Sequence, residues 1–240
     1  MRAYLLAATA LTGAAFFLVP GAALAQSSYD WSGFYTGITV GQMFDTGEFD
    51  FSYDPGPEAE FESDPDSLTL SEQALAIGLN VGHNWQSGSL VYGVELDAFA
   101  TSLNAAGQVG NEDDGEVSAE TSLHALLTAR ARVGVAVDRM LFYGTGGLAV
   151  GRVSAFTDYD GDLGKGTTDT TQTAIGFTAG AGVEHAINDN ATIRLEGLYY
   201  QLGDVSATND ELIFGDEGSS YTANYSARGA IIRAGLNLKF

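Results

Sequence analysis

Hydrophobic and polar residues alternate along the end of the chain, RGAIIRAGLNLKF. A period of two predicts a β-strand whose two faces meet different environments. One face carries Ala230, Ile232, Ala234, Leu236, Leu238 and Phe240, and the other carries Gly229, Ile231, Arg233, Gly235, Asn237 and Lys239. Similar alternation elsewhere predicts eight strands in all, at 31–43, 73–85, 89–101, 122–137, 139–152, 172–187, 190–203 and 228–240.

The predicted connections are alternately short and long. Three are tight hairpin turns, at QSG, VDR and NDN. The other four are long, at 44–72, 102–121, 153–171 and 204–227. Such a meander places all long loops at one end, and with an even number of strands this is the layout of an outer-membrane barrel. A soluble lipocalin-like meander has a similar layout but turns its apolar faces inward.

The polar faces of the predicted strands decide between these two folds. Outside the loops they carry few charges, which nearly balance: Glu95, Asp97, Glu184 and Glu196 against Arg130, Arg132, Arg194 and Arg233. Balanced charges are expected where side chains are enclosed and pair with one another. The sequence therefore predicts an all-β fold, an eight-stranded antiparallel up-and-down transmembrane β-barrel with lipid outside and a charged plug inside.

Several aromatic residues lie near the predicted strand ends, as in the interfacial belts of membrane barrels. Trp31, Trp85, Tyr92 and Phe240 are expected near the short turns, and Phe44, Phe177 and Tyr199 near the long loops. In the fourth strand His124 is assigned to the inner face and Leu123 to the outer face. The phase of the fifth strand is ambiguous.

The start of the chain predicts export. Arg2, an apolar run and the small residues before position 26 indicate a cleaved signal peptide at 1–25, which leaves a single barrel domain at 26–240. The chain has no cysteine, so disulfides do not hold the fold. Its net charge of −21 excludes electrostatic capture of nucleic acid.

Five stretches resemble the small outer-membrane β-barrel proteins of the opacity/porin-like kind: YDWSGFYTGITVGQ, GLNVGHNWQSGSLVYGVELD, ARARVGVAVDRMLFYGTGGLAVG, GFTAGAGVEHAI and IRAGLNLKF. The resemblance implies an outer-membrane location, with short turns periplasmic and long loops extracellular. It also implies contact with outer-membrane lipid and lipopolysaccharide. Leu236, Leu238 and Phe240 would be the signal read by the barrel-assembly machinery. The family is functionally mixed, so activity stays open.

The predicted loops are strongly acidic. Residues 44–72 contain ten acidic residues and no basic ones. They are expected to form a solvated surface, with binding of divalent cations as the alternative. In the third long loop Asp158, Asp160, Asp162 and Asp169 follow a calcium-loop spacing. Leu163 stands where that motif needs glycine, and Asp169 stands where it needs glutamate.

The candidate chemistry for an enzyme is sparse. Ser122 and His124 share one predicted face, as a lipid-modifying hydrolase would need on its outer wall, but that face is assigned inward. With three histidines and no cysteine, the sequence predicts no cofactor and no enzymatic activity. We expect a structural envelope protein. A small porin-type channel is the alternative, although eight strands leave little room for water.

Overall fold

The computed structural model describes residues 29–54, 67–111, 115–161, 164–209 and 220–240. Within these ranges the chain is built of antiparallel strands. They are β1 (Gly33–Asp54), β2 (Ser67–Ser87), β3 (Leu90–Asn111), β4 (Gly115–Val137), β5 (Met140–Gly161), β6 (Gly164–Ala186), β7 (Ala191–Leu202), β8 (Val205–Asn209) and β9 (Ser220–Lys239). No helix of membrane-spanning length and hydropathy occurs in these ranges. The predicted signal peptide at 1–25 lies outside them.

The sheet closes on itself. Strands β1 to β7 pair in chain order, and β9 pairs with β7 on one side and with β1 on the other. Strand β8 pairs with β9 just beyond β7, at Val205 opposite Tyr225, so β7 and β8 are two parts of one barrel strand. The predicted eight-stranded antiparallel barrel is confirmed.

The three predicted tight turns are confirmed. Strands β2 and β3 are joined through Gly88 and Ser89, and Gly88 has a φ of +63°. Between β4 and β5, Asp138 has a φ of 52°. Positive φ values are what two-residue hairpins require, and glycine and aspartate tolerate them better than most residues.

The predicted long connections are wrong in extent. Strand β3 continues to Asn111 and β4 starts at Gly115, while β5 continues to Gly161 and β6 starts at Gly164. The polar Ser, Thr, Gly and acidic composition of these stretches lacks the apolar alternation that marks a half-buried strand. Backbone pairing continues without it. The central parts of the first and last of these connections, 55–66 and 210–219, lie outside the described residues.

At the long-hairpin end the barrel wall divides into two sheets. In the described chain, β2 and β3 pair only from Ala76 opposite Thr101 toward the short turn. Likewise β6 and β7 pair only from Gly176 opposite Leu202. Beyond these two seams the strand orders are β2-β1-β9-β8 and β3-β4-β5-β6. Because open strand edges are not tolerated in hydrocarbon, the seams limit the part that a bilayer can surround.

The outer wall below the seams is apolar. Its exposed large side chains include Phe34, Ile38, Leu79, Leu96, Leu148, Phe177, Leu195 and Ile232, each at least half exposed. The fifth predicted strand resolves with Phe142 and Leu148 outside and Leu141, Tyr143 and Ala149 inside. An apolar surface that encircles the molecule far exceeds the patches found on soluble monomers.

The assignment of His124 to the inner face is wrong. The register of β4 shifts between Leu123 and Ala125, so the strand carries a β-bulge at His124. Leu123 is therefore buried in the lumen, and His124 is exposed on the outer wall. A bulge adds one residue to the strand and reverses the inward and outward alternation beyond it.

The assignment of Trp31 to an outer aromatic belt is also wrong. Trp31 is 2% exposed and meets Tyr29 edge-on at 4.8 Å between ring centroids. Its backbone N–H donates to Gln86 Oε1 (2.7 Å), and the Tyr29 hydroxyl donates to the Asp189 carbonyl (3.2 Å). Burial raises the pKa of Tyr29 to about 12, so this donor stays protonated at neutral pH. The segment before β1 thus caps the short-turn end.

The two tryptophans provide a test of this cap. In Trp31→Phe all tryptophan fluorescence would come from Trp85, which is 42% exposed on the outer wall, and in Trp85→Phe all of it would come from Trp31. We expect brominated lipid in the bilayer to quench Trp85 strongly and Trp31 little, because quenching needs contact with the acyl chains. Equal quenching of the two single-tryptophan proteins would contradict the cap.

Candidate functional site

The eight predicted interior charges lie together in the lumen. Strand register brings several of them directly opposite one another: Glu95 opposite Arg130, Glu184 opposite Arg194, and Glu196 opposite Arg233. The members are Glu95, Asp97, Arg130, Arg132, Glu184, Arg194, Glu196 and Arg233, and all are buried. We call these eight residues the lumen charge cluster.

Arg130 and Arg233 share their carboxylate partners. The Arg130 guanidinium contacts Glu95 and lies 2.7 Å from Asp97 and 2.9 Å from Glu196. Arg233 lies 2.7 Å from both Asp97 and Glu196. Each cation therefore bridges carboxylates of different strands, and together these bonds tie β3, β4, β7 and β9 across the lumen.

The other two arginines extend the cluster toward the short-turn end. Arg132 donates to Glu184 at 2.9 Å, and Arg194 donates to Glu95 at 2.5 Å. Glu95 is also 3.8 Å from Arg132, so it joins this half of the cluster to the other. Four cations and four anions cancel, which is the condition for burying them together.

Several neutral lumen residues, which no sequence pattern marked as candidates, complete the cluster. The Tyr35 hydroxyl donates to Glu95 (2.8 Å), the Tyr143 hydroxyl to Glu196 (2.5 Å) and the Asn237 amide to Glu184 (2.8 Å). The Arg132 guanidinium lies over the Tyr143 ring, 4.1 Å from its centroid. Tyr35 and Asn237 stand at inward positions of alternating strands. The ambiguous phase of the fifth strand concealed Tyr143.

Glycines make room for these large side chains. A β-carbon at Gly182 would lie 2.6 Å from the Tyr143 hydroxyl, and one at Gly82 would overlap the Tyr35 ring. Real β-carbon contacts are not this short. The glycine-rich inner faces are thus explained by a lumen filled by a few large groups, as in other eight-stranded barrels.

Apolar side chains fill the lumen on both sides of the charge cluster. Toward the short turns lie Tyr29, Trp31, Val91, Ala136, Leu141, Tyr143 and Ala186. Toward the long hairpins lie residues including Met43, Phe99, Leu126, Tyr200 and Ile231. The polar layer is therefore enclosed between two apolar layers along the barrel axis.

The other predicted sites are placed as follows. Leu236, Leu238 and Phe240 face outward at the end of β9, and the Phe240 N–H donates to the Phe34 carbonyl at 3.0 Å. Asp158 and Asp160 lie in β5 and Asp169 lies in β6, opposite Phe156, so the calcium-like spacing falls on a strand hairpin. Asp162 lies outside the described residues. Both the assembly signal and the calcium site stay predictions.

Ser122 and His124 do share a face, but it is the outer face rather than the predicted inner one. The Ser122 hydroxyl donates to Asn104 Oδ1 at 2.6 Å. A nucleophilic serine needs its hydroxyl bonded to a general base, and here an amide oxygen takes that position. The pair therefore does not present the geometry of an activated nucleophile.

A closed antiparallel barrel with an apolar outer wall and a filled, charge-balanced lumen defines an integral outer-membrane β-barrel protein. The chain belongs to the outer membrane protein beta-barrel domain family, whose model matches residues 10–240. The predicted transmembrane barrel and outer-membrane location are confirmed.

Two relatives and one solved structure illustrate the similarity. A 31 kDa outer-membrane immunogenic protein of Brucella melitensis is 32% identical over 215 residues, which are 89% of this chain and 85% of that protein. A 22 kDa outer membrane protein of Rhizobium leguminosarum is 30% identical over 211 residues, 88% of this chain and 78% of that protein. The outer membrane protein OprG of Pseudomonas aeruginosa aligns with a TM-score of 0.49 and 16% identity, covering 89% of this chain and 99% of OprG.

Removing one member of the lumen charge cluster should destabilise the barrel. We expect Arg130→Met to lower the free energy of unfolding by about 3–5 kcal/mol, because buried carboxylates lose a cation. Arg139→Met is the control, since its 3.3 Å pair with Asp189 is exposed, and there we expect a change of at most about 1 kcal/mol. Urea titration of the refolded protein in lipid vesicles measures both. Equal losses would contradict a special role of the cluster.

Proposed function

We propose that the protein is a non-enzymatic structural component of the outer membrane and that its barrel does not conduct solutes. The observation that carries this proposal is the filled lumen, in which a buried, neutral charge cluster is enclosed between two apolar layers. A porin needs a continuous aqueous path, and barrels of eight strands have interiors that side chains can fill.

The short turns are proposed to face the periplasm and the long hairpins the cell exterior. Outer-membrane barrels commonly have short periplasmic turns and longer external loops. In this chain the short-turn end is compact, because Tyr29 and Trp31 cap it. The strands beyond the seams have open edges, so they have to lie in water. Because these strands make the long-hairpin side the longer one, we assign that side to the cell exterior.

The two sheets beyond the seams are proposed to display the acidic part of the chain. Residues 3–129 contain no lysine or arginine, and they include the ten acids of 44–72. Relatives are named immunogenic outer-membrane proteins, which supports exposure at the surface. Such a display keeps the cell surface hydrophilic. We further propose that the displayed carboxylates bind divalent cations.

The conductance of the refolded protein tests the plugged barrel. We expect residues 26–240 in a planar bilayer to give no steady openings. Openings of Arg130→Ala alone would mean that removing this side chain lets water through the lumen. Steady openings of the unaltered protein, with a conductance that Arg130→Ala changes, would establish the porin-type channel instead. Heat-dependent mobility on a gel shows in parallel that the protein tested is folded.

The end of β9 is proposed to be recognised by the barrel-assembly machinery through Leu236, Leu238 and Phe240, which face outward together. We expect deletion of Phe240 to reduce the folded, membrane-inserted fraction in cells several-fold. Refolding of the same variant in vitro should change less, because Phe240 is 77% exposed and makes little packing. Immunoblots of unheated outer-membrane fractions measure assembly. An unchanged folded fraction in cells would refute the signal.

A further inference from the structure

The outer wall changes from apolar to polar along one line across β4, β5 and β6. Leu127, Val150 and Ile175 are neighbours on this wall, and Leu127 and Ile175 are each more than half exposed. One pair further toward the long hairpins, the corresponding outward positions are Ala125, Arg152 and Thr173. We expect hydrocarbon to give way to lipid headgroups near this line, although Phe156, which is 40% exposed, lies beyond it.

Arg152 lies on this line with its side chain exposed. Among the described residues it has no ion pair and no hydrogen bond, in a chain that contains 31 acidic residues. The other arginines of the described residues all have partners: four are neutralised in the lumen, Arg139 pairs with Asp189 at the short-turn end, and Arg228, exposed on β9, takes part in an interaction of its own. A guanidinium at the edge of an apolar wall is stabilised by an anionic partner, and the described residues do not supply one.

The bulge in β4 adds a second group that can carry positive charge. Ala125 stands opposite Arg152, and the bulged His124 directly precedes Ala125 on the same outer face. An ordinary strand would have turned one of these two successive residues inward. The bulge therefore places an imidazole beside the guanidinium at the headgroup level.

Hydroxyl groups flank the two basic side chains on the side of the long hairpins. Ser122 bonds to Asn104 at 2.6 Å, and Ser154 bonds to Thr171 at 3.0 Å. All four residues occupy outward positions on neighbouring strands. They extend a polar surface upward from Arg152, so a headgroup at this level meets hydrogen-bonding groups rather than hydrocarbon.

We propose that Arg152 and His124 form a binding site for the phosphate group of an outer-leaflet lipid, with the hydroxyls of Ser122 and Ser154 at its upper edge. A guanidinium matches phosphate geometry and forms charge-assisted bonds to it. The lipid provides the anion, and its acyl chains lie along the apolar wall below. The site rests on the proposed orientation, in which this line faces the outer leaflet.

Titration with defined lipids tests the site. The folded protein in neutral detergent would receive lipid A with both phosphates, dephosphorylated lipid A or inorganic phosphate, and the midpoint of thermal unfolding would be read from gel mobility. We expect a saturable rise with phosphorylated lipid A only. Arg152→Gln should weaken the apparent affinity roughly tenfold, the loss of one charge-assisted interaction, and His124→Ala should weaken it less.

Arg139→Gln is the matched control, because it removes a partly exposed arginine from the opposite end and should leave the titration unchanged. The proposal is overturned if Arg152→Gln binds phosphorylated lipid A as the unaltered protein does, if dephosphorylated lipid A stabilises equally, or if inorganic phosphate alone reproduces the effect. Since Arg152 makes no contact in the described lumen, its variant should keep the heat-dependent mobility and the silent conductance. Failure of the lipid site is thereby distinguished from failure of the structural proposal.

Discussion

Eight ionised side chains share a lumen that has no room for bulk water around each of them, and the barrel depends on their mutual neutralisation. Arg130 from β4 and Arg233 from β9 each bind carboxylates on both β3 and β7, so the cluster crosses the barrel interior rather than following one strand pair. The pairing also selects the register, since a slip of one residue would turn the arginines toward lipid. The lumen charge cluster therefore both stabilises the barrel and selects the strand register.

A second constraint acts on the backbone. Every peptide group at bilayer depth needs a partner, and closure of β9 on β1 provides it. Beyond Ala76 and Gly176 that demand ends, and the wall divides into two sheets whose edges water can satisfy. On the short-turn side of the seams every strand is therefore paired on both edges, as a membrane requires. On the long-hairpin side the sheets have open edges, as sheets in water do.

The fold and the lumen could be predicted because the alternation of residues is strong wherever two environments differ. The alternation of inward and outward positions along each strand was enough to place Glu95, Arg130 and Arg233 in the lumen. This alternation gives the wrong face where a strand contains an irregularity, and it gives no signal where both faces of the strand are exposed to solvent. The bulge at His124 has no sequence marker, so the two sides of β4 were exchanged there. The strands beyond 102 and 153 lack apolar alternation, and Trp31 precedes the barrel strand and folds under it. Tyr143 stood in a strand of ambiguous phase.

Because the lumen is filled by side chains that stabilise the barrel, binding to other molecules has to occur on the outer surfaces. The acidic hairpins repel other anions, so lipid phosphates are attracted only where the protein concentrates positive charge locally. Lumen arginines cannot serve this purpose because they are buried and fully neutralised. Arg152, at the boundary between the apolar wall and the polar hairpins, can. Four of the ten basic residues neutralise carboxylates in the lumen, and Arg152 is exposed without a partner among the described residues, which is the distribution that a structural barrel with a specific lipid contact requires.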